Sequence, residues 1–273
     1  MNMDVEFSTI DAPASRDYVL AVLIDDHRQQ CQFDPVADPD VTLTLESTVA
    51  DWREACDLVG WRPLGRAMNA WWRVDLSDDQ WRGVLEPAES KSLNGVCELI
   101  AANAVAPTIR PATFFGRPCR RAAAFLTVRS LLRDAGADVA EVRPTTLLHE
   151  YTRNHLQTFL GPISRLAPGA LPDVKIETPE YDAATRMLIF SWLFGVAGFG
   201  AAGFAAITGF LATPAKFLAV FAIGLFVVSW LLTNLAAKQK PASVQFGELQ
   251  TFADLAALFA ACAAGEEGSA GPS

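Results

Sequence analysis

A histidine and a glutamate at positions 149 and 150 are the first residues of the chain that suggest chemistry. His149 and Glu150 begin like the zinc-protease pattern HExxH, but Arg153 stands where that pattern needs its second histidine. The next histidine, His155, comes six residues after the first, and this spacing does not place two imidazoles on one helical face. We therefore expect no metal site here.

Two further patterns have structural explanations. Residues 198–203 match the dinucleotide-binding pattern GxGxxG, but such a loop requires a preceding strand, and this match lies inside an uncharged stretch. Ser77 and Gln80 enclose Asp78 and Asp79, and this spacing predicts a capping box at the start of a helix, where acidic side chains are favourable. With no GxSxG motif and no Walker A loop, the sequence favours a protein without enzymatic activity or a cofactor.

The cysteines are odd in number and show no CxxC spacing. They are Cys31, Cys56, Cys97, Cys119 and Cys262. Buried free thiols are the favoured interpretation, because a disulfide framework or a zinc site needs paired or clustered cysteines.

Two stretches of the last third contain no charged residue and have the length of membrane spans. Met187–Leu211 and Phe217–Leu235 would be about 37 Å and about 28 Å long as helices, against a hydrocarbon core of about 30 Å. The short connection contains Pro214, which interrupts a helix where a turn is needed. The sequence therefore predicts a transmembrane hairpin of two antiparallel helices in contact with the lipid bilayer.

The basic residues around this hairpin predict its orientation. Only Lys216 lies in the connection, whereas five basic residues flank the open end: Arg165, Lys175, Arg186, Lys238 and Lys240. Because basic residues favour the cytoplasmic side, we expect a multi-pass protein of the inner cell membrane with both termini in the cytoplasm. The N-terminal region shows no signal-peptide pattern.

Small residues line one face of the first predicted span. They are Ala197, Gly198, Ala201, Ala202, Ala205, Ala206 and Gly209. Such a face permits close helix packing, either against the second span, against a membrane-protein partner, or against a second copy in a homodimer. Neither span contains an ionisable residue, so ion conduction by this hairpin alone is not expected.

Prolines divide the rest of the chain into helical blocks. We predict a Trp-rich helical subdomain over residues 1–106, an Arg-rich helical subdomain with a Pro-rich linker over 107–180, the hairpin over 187–237 and a cytosolic tail over 238–273. Alternation of apolar and polar residues in Val41–Leu45 and Val174–Ile176 indicates short strands. The predicted fold class is mainly α, with a helical cytosolic region, the two-helix hairpin and a short amphipathic C-terminal helix from about Glu248 to Ala264.

Five of the seven tryptophans lie between residues 52 and 81. Trp61, Leu64, Met68 and Trp71 recur at helical spacing, which favours a structural core, although a groove for an apolar ligand has the same pattern. A further apolar stripe, beginning at Leu93, predicts the next helix.

Arginines cluster in a segment without acidic residues. They are Arg110, Arg117, Arg120, Arg121, Arg129 and Arg133. The cluster fits contact with anionic headgroups, and the alternative is pairing with the chain's own acidic residues between Asp34 and Glu46. Nucleic acid is not expected as a partner, because the net charge is −9 and no recognition module is evident.

Residues 72–79 and 92–100 resemble the later half of acyl-carrier-protein-like domains, in a stretch from about residue 57 to 104. The resemblance implies a helical carrier-type domain. Its carrier serine would fall at Leu58, which has no hydroxyl, so the resemblance implies a recognition module that cannot carry an acyl chain.

The sequence as a whole therefore predicts a membrane-anchored helical interaction or scaffold protein without evident catalysis. Two alternatives remain open at this point. One is a membrane-associated enzyme or accessory factor that acts on acyl or lipid substrates, and the other is an accessory subunit of a membrane transporter.

Overall fold

A computed structural model describes residues 10–109, 112–114, 117–177 and 243–269 of the chain. Nearly all of these residues belong to one compact unit, formed by residues 1–176 together with 244–273. The first part of this unit contains helices α1 (Arg16–Gln30), α2 (Val49–Ala55), α3 (Trp61–Trp72), α4 (Asp78–Leu85) and α5 (Leu93–Ala101). Strands β1 (Ile10–Pro13) and β2 (Val105–Thr108) pair antiparallel, with Ile10 opposite Thr108.

Polar side chains cap the starts of three of these helices. The Ser77 side chain accepts from the Gln80 amide, and Gln80 bonds back to the Ser77 amide. This is the predicted capping box, which is confirmed. Thr48 forms a second capping box with Asp51, and the Ser15 side chain caps α1 through the Tyr18 amide.

The five helices surround a first apolar core. The predicted stripe of α5 is confirmed, because Leu93, Val96, Cys97 and Ile100 are all fully buried. Three of the clustered tryptophans are also buried, namely Trp52, Trp72 and Trp81. The structural-core interpretation of the tryptophan cluster is therefore confirmed for these three rings, while Trp61 and Trp71 are half-buried.

The second part of the unit combines two long helices with several short elements. In chain order these are β3 (Thr113–Phe114), β4 (Arg117–Pro118), α6 (Arg120–Asp134), α7 (His149–Asn154), α8 (Leu156–Thr158), a π-helical turn (Phe159–Ile163), a 3-10 turn (Ser164–Leu166), β5 (Val174–Glu177), β6 (Ser243–Phe246) and α9 (Phe252–Ser269). Strand β3 pairs antiparallel with β4, and β5 pairs with β6.

A second apolar core lies among these elements. Val128 and Leu132 of α6 are buried with Phe159, Phe252 and Phe259. The predicted C-terminal helix is confirmed, although it begins at Phe252 and not near Glu248. It packs along α6, so its apolar face is covered.

One predicted strand is present and one is absent. Val174–Ile176 lies in β5, as predicted. Val41–Thr44 is irregular, so that strand prediction is wrong. The Ser47 hydroxyl accepts the Thr44 amide at 2.9 Å, and such local bonds favour a turn over a sheet ladder.

The predicted transmembrane hairpin is not part of the fold that the structure describes. Among the described residues, no helix is both long and apolar enough to cross a bilayer. The predicted spans Met187–Leu211 and Phe217–Leu235, with the small-residue face from Ala197 to Gly209, lie outside those residues. The membrane-spanning fold class and the multi-pass inner-membrane location are therefore wrong for this structure.

The described helices are too short or too charged for a membrane span, which needs about 20 mainly apolar residues. Helices α1 and α6 have 15 residues each, and α9 has 18 residues but contains Asp254, Glu266 and Glu267. The corrected fold class is about half helical, with three short strand pairs in the described part of the chain.

Candidate functional site

The C-terminal half of α1 carries buried polar side chains between the two apolar cores. Its N-terminal half contributes Val19, Val22 and Leu23 to the first core. Asp25, which is 3% exposed, and Gln29, which is 2% exposed, instead meet the segment that leads from the π-helical turn to β5. Polar groups can be buried here because each finds a partner.

Asp25 joins the two parts of the unit through charged and neutral partners. One of its carboxylate oxygens accepts from the Ser164 hydroxyl, and the other accepts from Arg28 at 2.7 Å. Arg28 also donates to the Leu171 carbonyl at 2.6 Å and to the Asp173 carboxylate. The charge of Asp25 is therefore balanced inside the protein.

Gln29 completes this connection with backbone bonds. Its side-chain amide donates to the carbonyls of Leu171 at 3.3 Å and Pro172 at 3.1 Å. Its side-chain oxygen accepts the Val174 amide at 2.9 Å. These bonds hold the start of β5 against α1.

Next to these contacts, Arg165 lies against two tryptophans from α3. The centre of its guanidinium is 4.4 Å from the ring centre of Trp71 and 4.2 Å from that of Trp72. Its Nη1 donates to the Trp71 carbonyl at 2.9 Å, and its own carbonyl accepts from the Tyr18 hydroxyl at 2.9 Å. We call Tyr18, Asp26, Trp71, Trp72 and Arg165 the Arg165 site.

One edge of this guanidinium is buried and lacks a partner. Nε and Nη2 of Arg165 are both shielded from solvent, and neither bonds to an atom of the described residues. The indole nitrogen of Trp72 is also buried and has no hydrogen-bond partner among the described residues. All three are donors, and leaving a buried donor unpaired costs roughly 1–3 kcal/mol, more when the group is charged.

Burial and neighbouring charges shift the titration of this site. The pKa of Arg165 is lowered to about 10, mainly by burial and to a smaller extent by nearby Arg73. The charges of Tyr18 and Asp26 oppose this shift. Burial raises the pKa of Tyr18 to about 12. Arg165 remains charged at neutral pH, so its unpaired edge is a cationic donor pair with poor access to water.

Asp26 is the carboxylate whose charge acts on Arg165. Crowding by protein atoms raises its pKa to about 6, against the attraction of Arg165, and neighbouring Asp25 adds to the rise. The residue also keeps exposed surface, and solvent on that side screens these effects. Asp26 and Arg165 attract each other electrostatically, but they do not form an ion pair in the described part of the structure.

A cysteine and a histidine that the sequence analysis did not pair also lie together on α1. Cys31 Sγ is 3.4 Å from His27 Nε2, as their i, i+4 spacing would have indicated. His27 Nε2 also lies 3.0 Å from the Asp38 carbonyl. Desolvation and the charge of Asp38 raise the pKa of the Cys31 thiol, which is opposite to what an activated nucleophile needs.

The cysteines of the described structure are free thiols, as predicted. Cys56 and Cys97 are buried, whereas Cys31, Cys119 and Cys262 are partly exposed. His149 begins α7 and His155 follows its last residue. Among the described residues, no group of three histidine, cysteine or acidic side chains is placed to hold a metal.

The arginine cluster is only partly free for a ligand. Arg129 donates from Nε to the Val139 carbonyl at 3.1 Å, and Arg133 donates to the Ser130 hydroxyl at 3.1 Å. Arg117 is exposed on β4, and Arg121 is exposed on α6. Arg120 also lies on α6, and Arg110 lies outside the described residues. Contact of this cluster with an anionic surface stays a prediction.

A cavity of about 320 Å³ lies beside the start of α6 and the end of α9. Alanines form much of its wall, namely Ala112, Ala123, Ala260 and Ala263. Cys119 and Arg120 are the polar residues among its described lining. The rest of the described lining is apolar, and it contains no arrangement of an acid and a base.

Sequence reasoning missed the Arg165 site. It used Arg165 only as a basic residue near the predicted hairpin. Trp71 was placed correctly on an amphipathic face, but its contact with Arg165 joins residues 94 positions apart. The adjacent tryptophans, which could stack on a cation, were the one signal in the sequence.

Comparison with known proteins adds no further information on the site. No protein-family model, curated protein or solved structure matches the chain. The resemblance to acyl-carrier-protein-like domains stays a prediction. The position expected for the carrier serine, Leu58, lies in the connection between α2 and α3 and is half-buried.

Proposed function

We propose that this protein is a binding protein without chemistry of its own, and that its ligand is an anion that docks on Arg165. The observation that carries the proposal is the buried, unpaired Nε and Nη2 edge of Arg165, whose guanidinium lies against both Trp71 and Trp72. A guanidinium edge is a planar pair of donors that matches two oxygen atoms of an oxyanion. The binding energy would come from satisfying donors that are already desolvated.

The chemistry of the site supports binding over catalysis. Its polar groups are the donors of Arg165, Tyr18 and Trp72 together with one carboxylate, Asp26. Nothing among them combines a nucleophile with a base at hydrogen-bond distance, which acyl or phosphoryl transfer would require. The cysteine and histidine of α1 form such a pair by distance, but the raised pKa of Cys31 keeps the thiol protonated.

The proposal is tested by titrating the full-length protein with sodium acetate at constant ionic strength. The readout is the set of ¹H–¹⁵N signals from the indole groups of its seven tryptophans. We expect saturable shifts of the Trp71 and Trp72 signals. Replacing Arg165→Lys keeps the charge but removes the planar donor pair, and should weaken binding by about 10- to 100-fold, the effect of losing a charged hydrogen bond.

The matched control is Arg62→Lys. Arg62 also stacks on a tryptophan, at 4.9 Å from Trp61, but its side chain is 60% exposed and lies near Asp78. This variant should bind acetate like the wild-type protein. The proposal fails if acetate causes no saturable shift, or if both arginine variants lose binding to the same extent.

A second candidate function follows from the apolar cavity between α6 and α9. We propose that the cavity accepts a short apolar chain, because alanines form much of its wall. An acyl chain is one such ligand, in line with the acyl or lipid substrates considered in the sequence analysis. Ala123→Leu should fill part of the space and abolish binding of a fluorescent fatty-acid probe. Ala257→Leu, at a half-buried α9 position outside the described lining, should leave binding unchanged, and equal losses would refute the assignment.

A further inference from the structure

An exposed apolar patch lies where the ends of α1 and α2 meet. Six large apolar side chains of the described residues are exposed, and three of them lie here. Phe33 is 46% exposed, Val36 is 61% exposed and Val59 is 55% exposed. Phe33 and Val36 follow the last turn of α1, and Val59 follows α2. We call these three side chains the α1–α2 patch.

Hydrogen bonds hold the two turns that carry the patch against each other. The Gln30 side-chain amide donates to the Cys56 carbonyl at 2.9 Å. Eight positions after Gln30, the Asp38 amide donates to the Ala55 carbonyl at 2.9 Å. The segment between these two bonds carries two of the patch residues and is therefore held at both ends to α2, with the third patch residue close by. A surface held in this way loses little conformational entropy when a partner binds.

The surroundings of the patch are acidic. Residues 33–59 contain seven acidic residues and one basic residue, Arg53, which is already in an ion pair. Each patch residue has an aspartate within two positions, namely Asp34, Asp38 and Asp57. These three aspartates are in none of the ion pairs of the described structure. The rim of the patch therefore carries negative charge that the described part of the chain does not neutralise.

We propose that the α1–α2 patch binds a cationic amphipathic segment of a partner protein. The apolar side chains of that segment cover the patch, and its lysine or arginine side chains meet the three aspartates. An exposed apolar patch with a polar rim is typical of protein interfaces. Apolar area supplies most of the free energy of such a contact, and complementary charge supplies selectivity and a fast association rate.

The charge of the rim decides between possible occupants. A two-fold dimer uses the same surface on both copies, so a second copy docked on the patch would bring the three aspartates of each copy together, which is unfavourable. The phosphates of a nucleic acid or of an anionic membrane would be repelled in the same way. Within the described structure, no ion pair joins the chain's own arginine cluster to these aspartates, and Arg133 pairs with its neighbour Asp134.

The test uses the full-length protein and a fluorescent peptide of about 14 residues, or about four helical turns, with leucines on one face and lysines elsewhere. Fluorescence anisotropy should show saturable binding at about 10 mM salt and weaker binding at about 150 mM, because the Debye length falls from about 30 Å to about 8 Å. A second peptide, with the same leucines but glutamates in place of the lysines, should not bind.

One pair of variants tests the apolar contact. Phe33→Ser combined with Val36→Ser should weaken binding of the lysine peptide by about tenfold or more, the effect of losing central apolar contacts. The matched control combines Val105→Ser with Leu147→Ser, two side chains that are 51% and 49% exposed outside the patch. This control should bind like the wild-type protein.

A second pair tests the charge. Asp38→Asn combined with Asp57→Asn should weaken binding by about three- to tenfold at low salt and flatten its salt dependence. The control combines Asp75→Asn with Glu150→Gln, which removes two exposed carboxylates outside the patch. Because the four patch and rim positions are exposed, the core stays intact, and urea unfolding of each variant checks this.

The outcomes are distinct. No binding of the lysine peptide, or equal losses in the apolar pair and its control, overturns the patch as a docking site. Binding of the glutamate peptide, or undiminished binding by the variant without Asp38 and Asp57, overturns the cationic partner. A dimer in analytical ultracentrifugation that disappears in the apolar pair would show that a second copy occupies the patch, and would also overturn the proposal.

Discussion

Replacing Gly65 by alanine should destabilise the protein, although alanine is the better helix former. Gly65 lies in the middle of α3, and a β-carbon there would be 2.7 Å from Cγ and 2.9 Å from Cδ1 of Trp81. Real β-carbons essentially never approach other atoms this closely. The α3 backbone can therefore approach Trp81 of α4 this closely only because residue 65 has no side chain.

The size of the effect depends on whether Trp81 can move. Its ring is 1% exposed, and its indole nitrogen donates to the Asn69 side-chain oxygen at 2.9 Å. Overpacking a rigid core site costs about 1–3 kcal/mol, and weakening that hydrogen bond adds about 1 kcal/mol. Helix propensity returns about 1 kcal/mol, so the free energy of unfolding should fall by about 1–3 kcal/mol.

Gly83→Ala is the matched control for this prediction. Gly83 lies inside α4, and a β-carbon added there meets nothing within 4 Å. Only the propensity term acts, so this variant should be more stable by about 0.5–1 kcal/mol. The two changes are chemically identical and should have opposite signs.

Thermal and urea unfolding, followed by tryptophan fluorescence, measure both variants. A change of 1 kcal/mol corresponds to a shift of roughly 2–4 °C in Tm for a domain of this size. If Gly65→Ala raised Tm as much as Gly83→Ala does, the close contact between α3 and Trp81 would be refuted.

Three further predictions follow from buried polar groups and thiols. Gln29→Leu should lower the free energy of unfolding by about 1–3 kcal/mol in urea unfolding, because the buried Val174 amide and the Pro172 carbonyl lose their Gln29 partner, whereas the Leu171 carbonyl keeps Arg28; no loss would argue against the contact between α1 and β5. Cys56 and Cys97, whose pKa burial raises to about 12, should resist a thiol reagent at neutral pH in the native protein and react after unfolding, as mass spectrometry can show. Because burial raises the pKa of Tyr18 to about 12, its contribution to stability is complete below about pH 10, where the unfolded chain begins to ionise, and is lost as the pH rises towards 12. Tyr18→Phe should therefore show a shallower loss of stability over this range, and an unchanged slope would contradict the assignment.

Local features of the fold could be predicted from the sequence because local residues determine them. The capping box at Ser77 depends on side chains three residues apart. The buried stripe of α5 depends on spacing alone, and the same is true of the apolar face of α9.

The candidate site could not be predicted in this way. Asp25 and Ser164 are 139 residues apart, and Gln29 and Val174 are 145 residues apart. A polar residue in the sequence carries no information about which distant group will satisfy it, since many arrangements offer one hydrogen bond each. The burial of a polar residue such as Asp25 or Gln29 becomes evident only when both apolar cores are packed.

The sequence by itself therefore determined where α4 and α5 begin, which faces of α5 and α9 are apolar, and that the cysteines of the described part remain thiols. These properties depend on neighbours within one or two helical turns, whose distances are fixed by the backbone. The tertiary structure alone decided that Arg165 lies against Trp71 and Trp72 with a desolvated, unpaired edge. That arrangement arises because two cores meet along α1, and a contact between segments so far apart is set by the packing of the whole unit.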